Sequence, residues 1–251
     1  MTSTPSFADT ARQGPAILPL GDSAVSVEFG RSIDPDLNEA VIALAAVLEE
    51  APFEGFVEAV PTYRSLVVIY DPLTVPGREV EALLHDKLTG GDRPARPRRL
   101  WRIPVHYGGP AALDLEDLAR EKKVDVEELI ALHSGAEYRV YMIGFAPGFA
   151  YLGGLPEALH TPRLPVPRQL IPAGAIGIGG QQASVNSVPG PSGWRFIGET
   201  PVRAYDPDRA TPFLFAAGDA LRFTPVSAQE AADLAARRDA GEVILTAEVL
   251  Q

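Results

Sequence analysis

Hydrophobic and polar positions along these 251 residues fall into successive rhythms. From Ala16 to about Pro97, two-residue alternation trades places with helical spacing. Residues 23–29 (SAVSVEF) alternate small apolar and polar side chains, as a half-buried strand does. Asp34 followed by Pro35 supplies an N-cap and a first-turn proline. Leu37, Val41, Leu44, Ala45 and Leu48 then recur at helical spacing. Residues 56–60 and 65–70 predict two strands around a turn at 62–64. Residues 75–88 predict a second helix with Val80, Leu83, Leu84 and Leu88 on one face. With a strand over 99–105 completing it, this order predicts a compact α+β unit of the split-βαβ kind.

The stretch GGDRPARPRR, residues 90–99, breaks the pattern. Its prolines and like charges oppose both helix and sheet, so it reads as a linker. Arg93, Arg96, Arg98 and Arg99 are expected to form a solvated hinge. Beyond LWRIPV and HYGG, two helices are expected, over EDLAREKK and VEELIALHSG. Asp125 would cap the second helix at its start and Gly135 at its end. From Glu137 to about Val226, short strand-like runs are interrupted by proline and glycine, which predicts a β-barrel or sandwich. An amphipathic helix over 228–238 and a strand in EVILTAEV close the chain. The expected organisation is a disordered tail at 1–15, an α+β domain at 16–97 and a mainly β domain at 98–251.

Composition narrows the function. Hydrophobic residues make up 46% and charged residues 22%, which is ordinary for a globular core. The net charge of −11 disfavours nucleic acid or an anionic membrane surface as a partner, since both need a basic field. The absence of cysteine removes disulfides, thiolate catalysis and cysteine-based zinc sites. No apolar run reaches the roughly 18 residues of a membrane span, and the polar N-terminus lacks a signal core. A cytoplasmic protein is expected. Phosphate-loop, HExxH and GxSxG motifs are absent, and the four histidines show no metal-ligand spacing. No metal site is expected on this chain.

Chemistry concentrates between Ile143 and Pro201. In GFAPGFAYL, Gly144, Pro147 and Gly148 enforce a loop that carries Phe145, Phe149 and Tyr151. Loops that hold several aromatics tend to wall a pocket, so Phe149 and Tyr151 are candidate binding residues. HTPRLPVPR is held extended by its prolines and presents Arg163 and Arg168, each suited to fork a carboxylate or phosphate. Pro172 and Gly174 frame the next turn. AGAIGIGG lacks dinucleotide spacing and reads as a tight strand with close backbone approach. Gln182 and Asn186 offer amide donors and acceptors, and Trp194 is either a core anchor or a ligand shelf.

These motifs, IGFAPGFAYLGGLPEALHTPR, PRQLIPAGAIGIGGQQ and PSGWRFIGETPV, resemble the family that contains the B-type subunit of bacterial 5-oxoprolinase. That family also includes the allophanate hydrolase subunit 1 domain and the Kip-type inhibitor of a histidine kinase. The resemblance runs through IPVHYGG, LHSGAEYRVYMIGF and FLFAAGDALRFTPV. It implies an α+β domain followed by a mainly β, cyclophilin-like barrel. It also implies ATP-dependent opening of the 5-oxoproline lactam, with a larger C-type subunit of related fold plus a separate A-type one as partners. ATP with Mg²⁺ would be bound largely by those partners. On this reading Arg163, Arg168 and, more weakly, His133 and His106 are the candidate catalytic groups. The alternatives are a non-catalytic kinase inhibitor and part of an allophanate or urea-type amide hydrolase. The chain departs from the family pattern at Gln182-Ala183-Ser184, at Asn186-Ser187 and at Pro191-Ser192-Gly193-Trp194.

Overall fold

A computed structural model describes residues 14–89 and 98–250, and the chain divides into two compact units, up to Ala95 and from Arg96 onward. The expected tail, apart from residues 14 and 15, lies outside the described residues. So does the linker, except for Arg98 and Arg99.

The first unit is a four-stranded antiparallel sheet with two helices. Its strands are β1 (Ala16–Pro19), β2 (Ala24–Glu28), β3 (Phe56–Pro61) and β4 (Ser65–Tyr70), in the order β1-β2-β4-β3. Helix α1 (Pro35–Glu50) begins where Asp34 accepts hydrogen bonds from the backbone N–H groups of Asp36 and Leu37. It sets Val41, Leu44, Ala45 and Leu48 against Val25, Val27, Leu66 and Val68. Helix α2 (Gly77–Thr89) adds Val80 and Leu84 to the same core. The alternation in residues 65–70 is the register itself, since Leu66, Val68 and Tyr70 are buried and their neighbours are not. One expectation fails. The fourth strand of this sheet is β1, whose mostly exposed side chains gave no periodic signal. The strand over 99–105 belongs elsewhere.

That strand, β5 (Arg98–Val105), lies within the second unit's sheet. It pairs in parallel with β13 (Ala220–Pro225) and antiparallel with β14 (Glu248–Leu250). Between them in sequence come β6 (Tyr138–Ile143), β7 (Ala150–Gly153), β8 (Arg168–Ile171), β9 (Ala175–Gly179), β10 (Gln182–Val185), β11 (Gly190–Ser192) and β12 (Arg195–Glu199). Eight strands form one mixed sheet in the order β12-β9-β10-β7-β6-β13-β5-β14, while β8 and β11 form a separate ribbon. The sheet curls until His106, just past β5, meets Glu199 at the end of β12 in a single antiparallel bridge. That one pair, with no continuous ladder, joins β12 back to β5. Helices α3 (Leu115–Lys122) and α4 (Val126–Gly135) cover the core of Ile103, Val105, Leu118, Leu129, Leu152 and Ile178. Asp125 caps α4 by accepting from Glu128 N, whereas Gly135 is the last helical residue and not the cap beyond it.

Strand β9 reads AIGIG and is buried at every position. A Cβ on Gly179 would stand 2.7 Å from the Trp194 ring, so glycine there lets the indole lie on the strand. The expected hinge is also corrected. Arg98 pairs with Glu137 at 2.5 Å, and Arg99 makes two bonds to buried Asp219 at 2.8 and 2.7 Å. Both arginines sit within β5, which explains why they are not free charges. Arg93 and Arg96 are outside the described residues. The last helix, α5 (Ala228–Asp239), starts with a Ser227–Glu230 capping box and buries none of its residues fully. Only Glu248–Leu250 of the closing segment is strand. Among the described residues no helix is long and apolar enough to cross a membrane.

Candidate functional site

The loop after β6 doubles back at once: Gly144 N donates to Phe149 O, and Phe149 N donates to Ala146 O. Phe145 takes φ +68° and is 75% exposed, which is uncommon for a bulky residue. Gly148 takes φ +69°, and a Cβ there would meet Tyr205 Cβ at 2.9 Å and Ala204 O at 3.1 Å. Glycine is therefore required twice over, by conformation and by space. The turn delivers three rings in sequence. Phe149 stands edge-on to Phe145, Tyr151 and Trp194, at centroid separations of 5.6, 5.0 and 5.9 Å. Aromatic pairs favour this edge-to-face arrangement.

These rings wall an open cavity of about 270 Å³. Its far side is made by Arg163, Pro167 and residues 191–193. The arginine arrives on a segment pinned by Thr161, which exchanges backbone hydrogen bonds with Gly180, and by Leu164, whose N–H donates to Gly193 O. Arg163 lays its guanidinium 4.9 Å from the Trp194 ring centre. No carboxylate pairs with it among the described residues. The result is an exposed cation held over an indole, beside an apolar slot, which suits a small ligand with a planar body and one negative charge.

Phe149, Tyr151, Arg163 and Trp194 thus meet, as do the framework residues that shape their loop, with Gly144 and Gly148 inside the turn and Pro147 exposed on it. The remaining candidates are elsewhere. Arg168 donates through Nη1 and Nη2 to Asp114 at 2.8 and 2.7 Å, and the same carboxylate accepts from Phe196 N at 2.8 Å. Asp114 is buried, so this pair ties the β8–β11 ribbon to β12 and α3 and leaves Arg168 no free fork for a ligand. Asn186 is also buried and spends its amide on the carbonyls of Ile171, Pro172 and Val188. Gly174, at φ +83°, packs where a Cβ would lie 2.5 Å from Thr200 O, and Pro172 is exposed beside it. Gln182 lies half-buried on β10, opposite Gly179, and does not line the aromatic cavity.

His133 is a core residue. It is fully buried and stacks on Phe223 with centroids 4.7 Å apart. Tyr107 Oη lies 2.7 Å from its Nδ1. Burial lowers the imidazole pKa to about 3, and burial raises that of Tyr107. The phenol therefore donates to a neutral ring, and Nε2 is left buried without a partner among the described residues. A charge-handling role at the aromatic cavity does not fit this placement.

Sequence reading missed Asp114 as a partner. It stands at the N-cap position of α3, but its side chain makes no capping bond. An acidic residue at that place was legible, whereas its use by an arginine 54 positions later was not. No group of three or more histidine, aspartate or glutamate side chains is placed to hold a metal among the described residues.

Comparisons with known proteins show the family of this chain. The family described as carboxyltransferase domain, subdomain C and D, matches residues 15–215. A Bacillus subtilis (strain 168) protein named as the B subunit of 5-oxoprolinase is 40% identical over 222 residues, covering 84% of this chain and 92% of that protein. The crystal structure of TTHA0988 aligns with a TM-score of 0.74 at 37% identity, over 81% of this chain and 40% of that longer one. The Kluyveromyces lactis urea amidolyase aligns with a TM-score of 0.76 at 17% identity, over 93% of this chain and 16% of that protein, a likeness of fold alone. This chain spans less than half the length of either solved structure.

Proposed function

Because this chain belongs to the carboxyltransferase-domain family, subdomains C and D, which holds proteins named as the B subunit of 5-oxoprolinase, we propose that it is a subunit of an ATP-dependent 5-oxoprolinase. The reaction opens the lactam of 5-oxo-L-proline to L-glutamate as ATP becomes ADP and phosphate, with one water consumed in each hydrolysis. The observation that carries this reading is the unpaired Arg163 guanidinium on the Trp194 face, at the rim of the Phe149–Tyr151 slot.

5-Oxoproline has a flat five-membered ring and one carboxylate. The ring suits the aromatic slot, and the carboxylate suits the guanidinium. This chain's part is to bind and orient the substrate and to exclude water from one face of the ring. A lactam resists hydrolysis through amide resonance, and the nucleotide would supply the activation. No three histidine, aspartate or glutamate side chains cluster to hold a metal among the described residues, and the slot has one unpaired cation among them. No phosphoryl step is therefore assigned to this chain, and the site is read as one wall of a composite built with partner subunits.

The test is 5-oxoproline-dependent ADP release by the complex that co-purifies with the tagged chain. Turnover in the complex and not in the lone chain is expected. Arg163→Ala should lower kcat/KM by about tenfold or more, a loss of about 1.4 kcal/mol or more. Turnover of urea instead of 5-oxoproline, or unchanged kinetics in the variant, would overturn the reading.

A further inference from the structure

A second cavity, of about 390 Å³, opens where β12 meets the turn after β5. His106 and Glu199 are its polar floor. They are partners in the bridge that joins the end of β12 to the residue after β5 and exchange both backbone hydrogen bonds at 2.9 Å. Residues paired this way project side by side on one face. Both reach the same point: a Cβ on Gly109 would lie 2.7 Å from Glu199 Oε1 and 3.5 Å from His106 Cδ2. Neither side chain has a hydrogen-bond or ion-pair partner among the described residues. An imidazole and a carboxylate held together, both unspent, contrast with Asp114, Asp219 and His133, each of which is engaged.

The rest of the lining sets the ligand's charge. Arg238 stands at the rim, with Nη1 donating to Pro201 O and its charge shared with Asp239. Paired in this way it leaves the choice to Glu199, which disfavours an anion, and to the His106 N–H, which asks for an acceptor that a simple cation lacks. The opposite wall is apolar, formed by Ala231, Ala232 and Ala235 of α5. A neutral ligand with one donor, one acceptor and a small hydrocarbon body is what remains. A lactam meets this description because its ring forces the amide N–H and C=O onto the same edge.

We propose that the His106–Glu199 cavity is a second ligand site, separate from the aromatic slot, that takes a small uncharged lactam. Glu199 accepts the amide N–H, and His106 donates to the carbonyl. The alanine face of α5 covers the ring.

The test uses the full chain with ¹³C-labelled histidine, titrated with 2-pyrrolidinone and followed by NMR. The His106 resonance is identified by its loss in His106→Gln. A saturable shift of that resonance is expected, weakened several-fold in Glu199→Gln. Two comparisons need no variant. N-methyl-2-pyrrolidinone lacks the donor and should bind at least tenfold more weakly. 5-Oxoproline carries a carboxylate and should also bind at least tenfold more weakly at His106. No shift with 2-pyrrolidinone, equal binding of the N-methyl compound, or equal binding of 5-oxoproline would each overturn the proposal. A larger shift with methylammonium would assign the cavity to cations and overturn it as well. These readouts follow His106 and not turnover, so they stand or fall apart from the proposed lactam hydrolysis.

Discussion

Arg163 and Arg168 leave the same proline-held segment five residues apart, yet one is spent and the other free. Arg168 grips a buried carboxylate with both arms of its fork. Arg163 lies exposed on an indole with no counter-charge among the described residues. The difference teaches how to separate structural from ligand-facing arginines. A guanidinium that neutralises a buried acid holds elements together, because removing either partner strands a charge in low dielectric. A guanidinium whose only contact is an aromatic face keeps its hydrogen-bonding edge available.

The sharpest way to break this contrast is Asp114→Ala. It strands Arg168, which is half-buried, and leaves Phe196 N without its acceptor. A loss of about 3 kcal/mol or more is expected in chemical denaturation, and a loss below about 1 kcal/mol would show that the clamp is not structural. His133 extends the spent class to a histidine. Burial drops its pKa from 6.5 to about 3, so the unfolded chain takes up a proton that the folded chain refuses. Stability should fall as pH drops below about 6.5, by at most about 1.4 kcal/mol per pH unit from this group, and this contribution should level off near pH 3. His133→Phe should flatten that part of the profile. An unchanged slope would assign it to other groups.

Gly148→Ala probes the free side of the comparison. It forces a left-handed backbone onto an L-residue and crowds Tyr205, which should cost about 1–2 kcal/mol and disturb the Phe149 ring that the turn delivers. Wild-type stability with an unaltered aromatic near-UV signal would count against the loop's rigidity. The smallest effect on folding belongs to Arg163→Ala. Stability should change by less than about 1 kcal/mol, while binding of 5-oxoproline in the complex weakens about tenfold. A stability loss as large as that of Asp114→Ala would erase the distinction between the two arginines.

Much of this molecule was legible in its sequence. Alternation in residues 23–29 and 65–70, and helical spacing in residues 37–48, marked β2, β4 and α1, because each element buries one face and pattern reports burial. The aromatic loop was legible because glycine and proline restrict the backbone locally. What pattern could not report was pairing between distant segments. Strand β1 exposes most of its side chains and so left no periodic trace. Strand β5 has the same local pattern whichever sheet it joins, and its partners β13 and β14 lie more than 100 residues further along.

The sequence by itself determined the elements that bury one face, the turn chemistry at Gly148, the overall charge and the aromatic content of the slot, since these depend on residue type and near neighbours. Only the tertiary structure decided which polar groups are consumed. Arg168 meets Asp114 across 54 residues, and Asn186 is taken up by three carbonyls. His133 is enclosed by Tyr107, Tyr138 and Phe223, whereas His106 and Glu199 are brought side by side at the closing bridge. A side chain's chemistry is written in its type, but its availability depends on what the fold places within hydrogen-bond reach, and that distance has no sequence period.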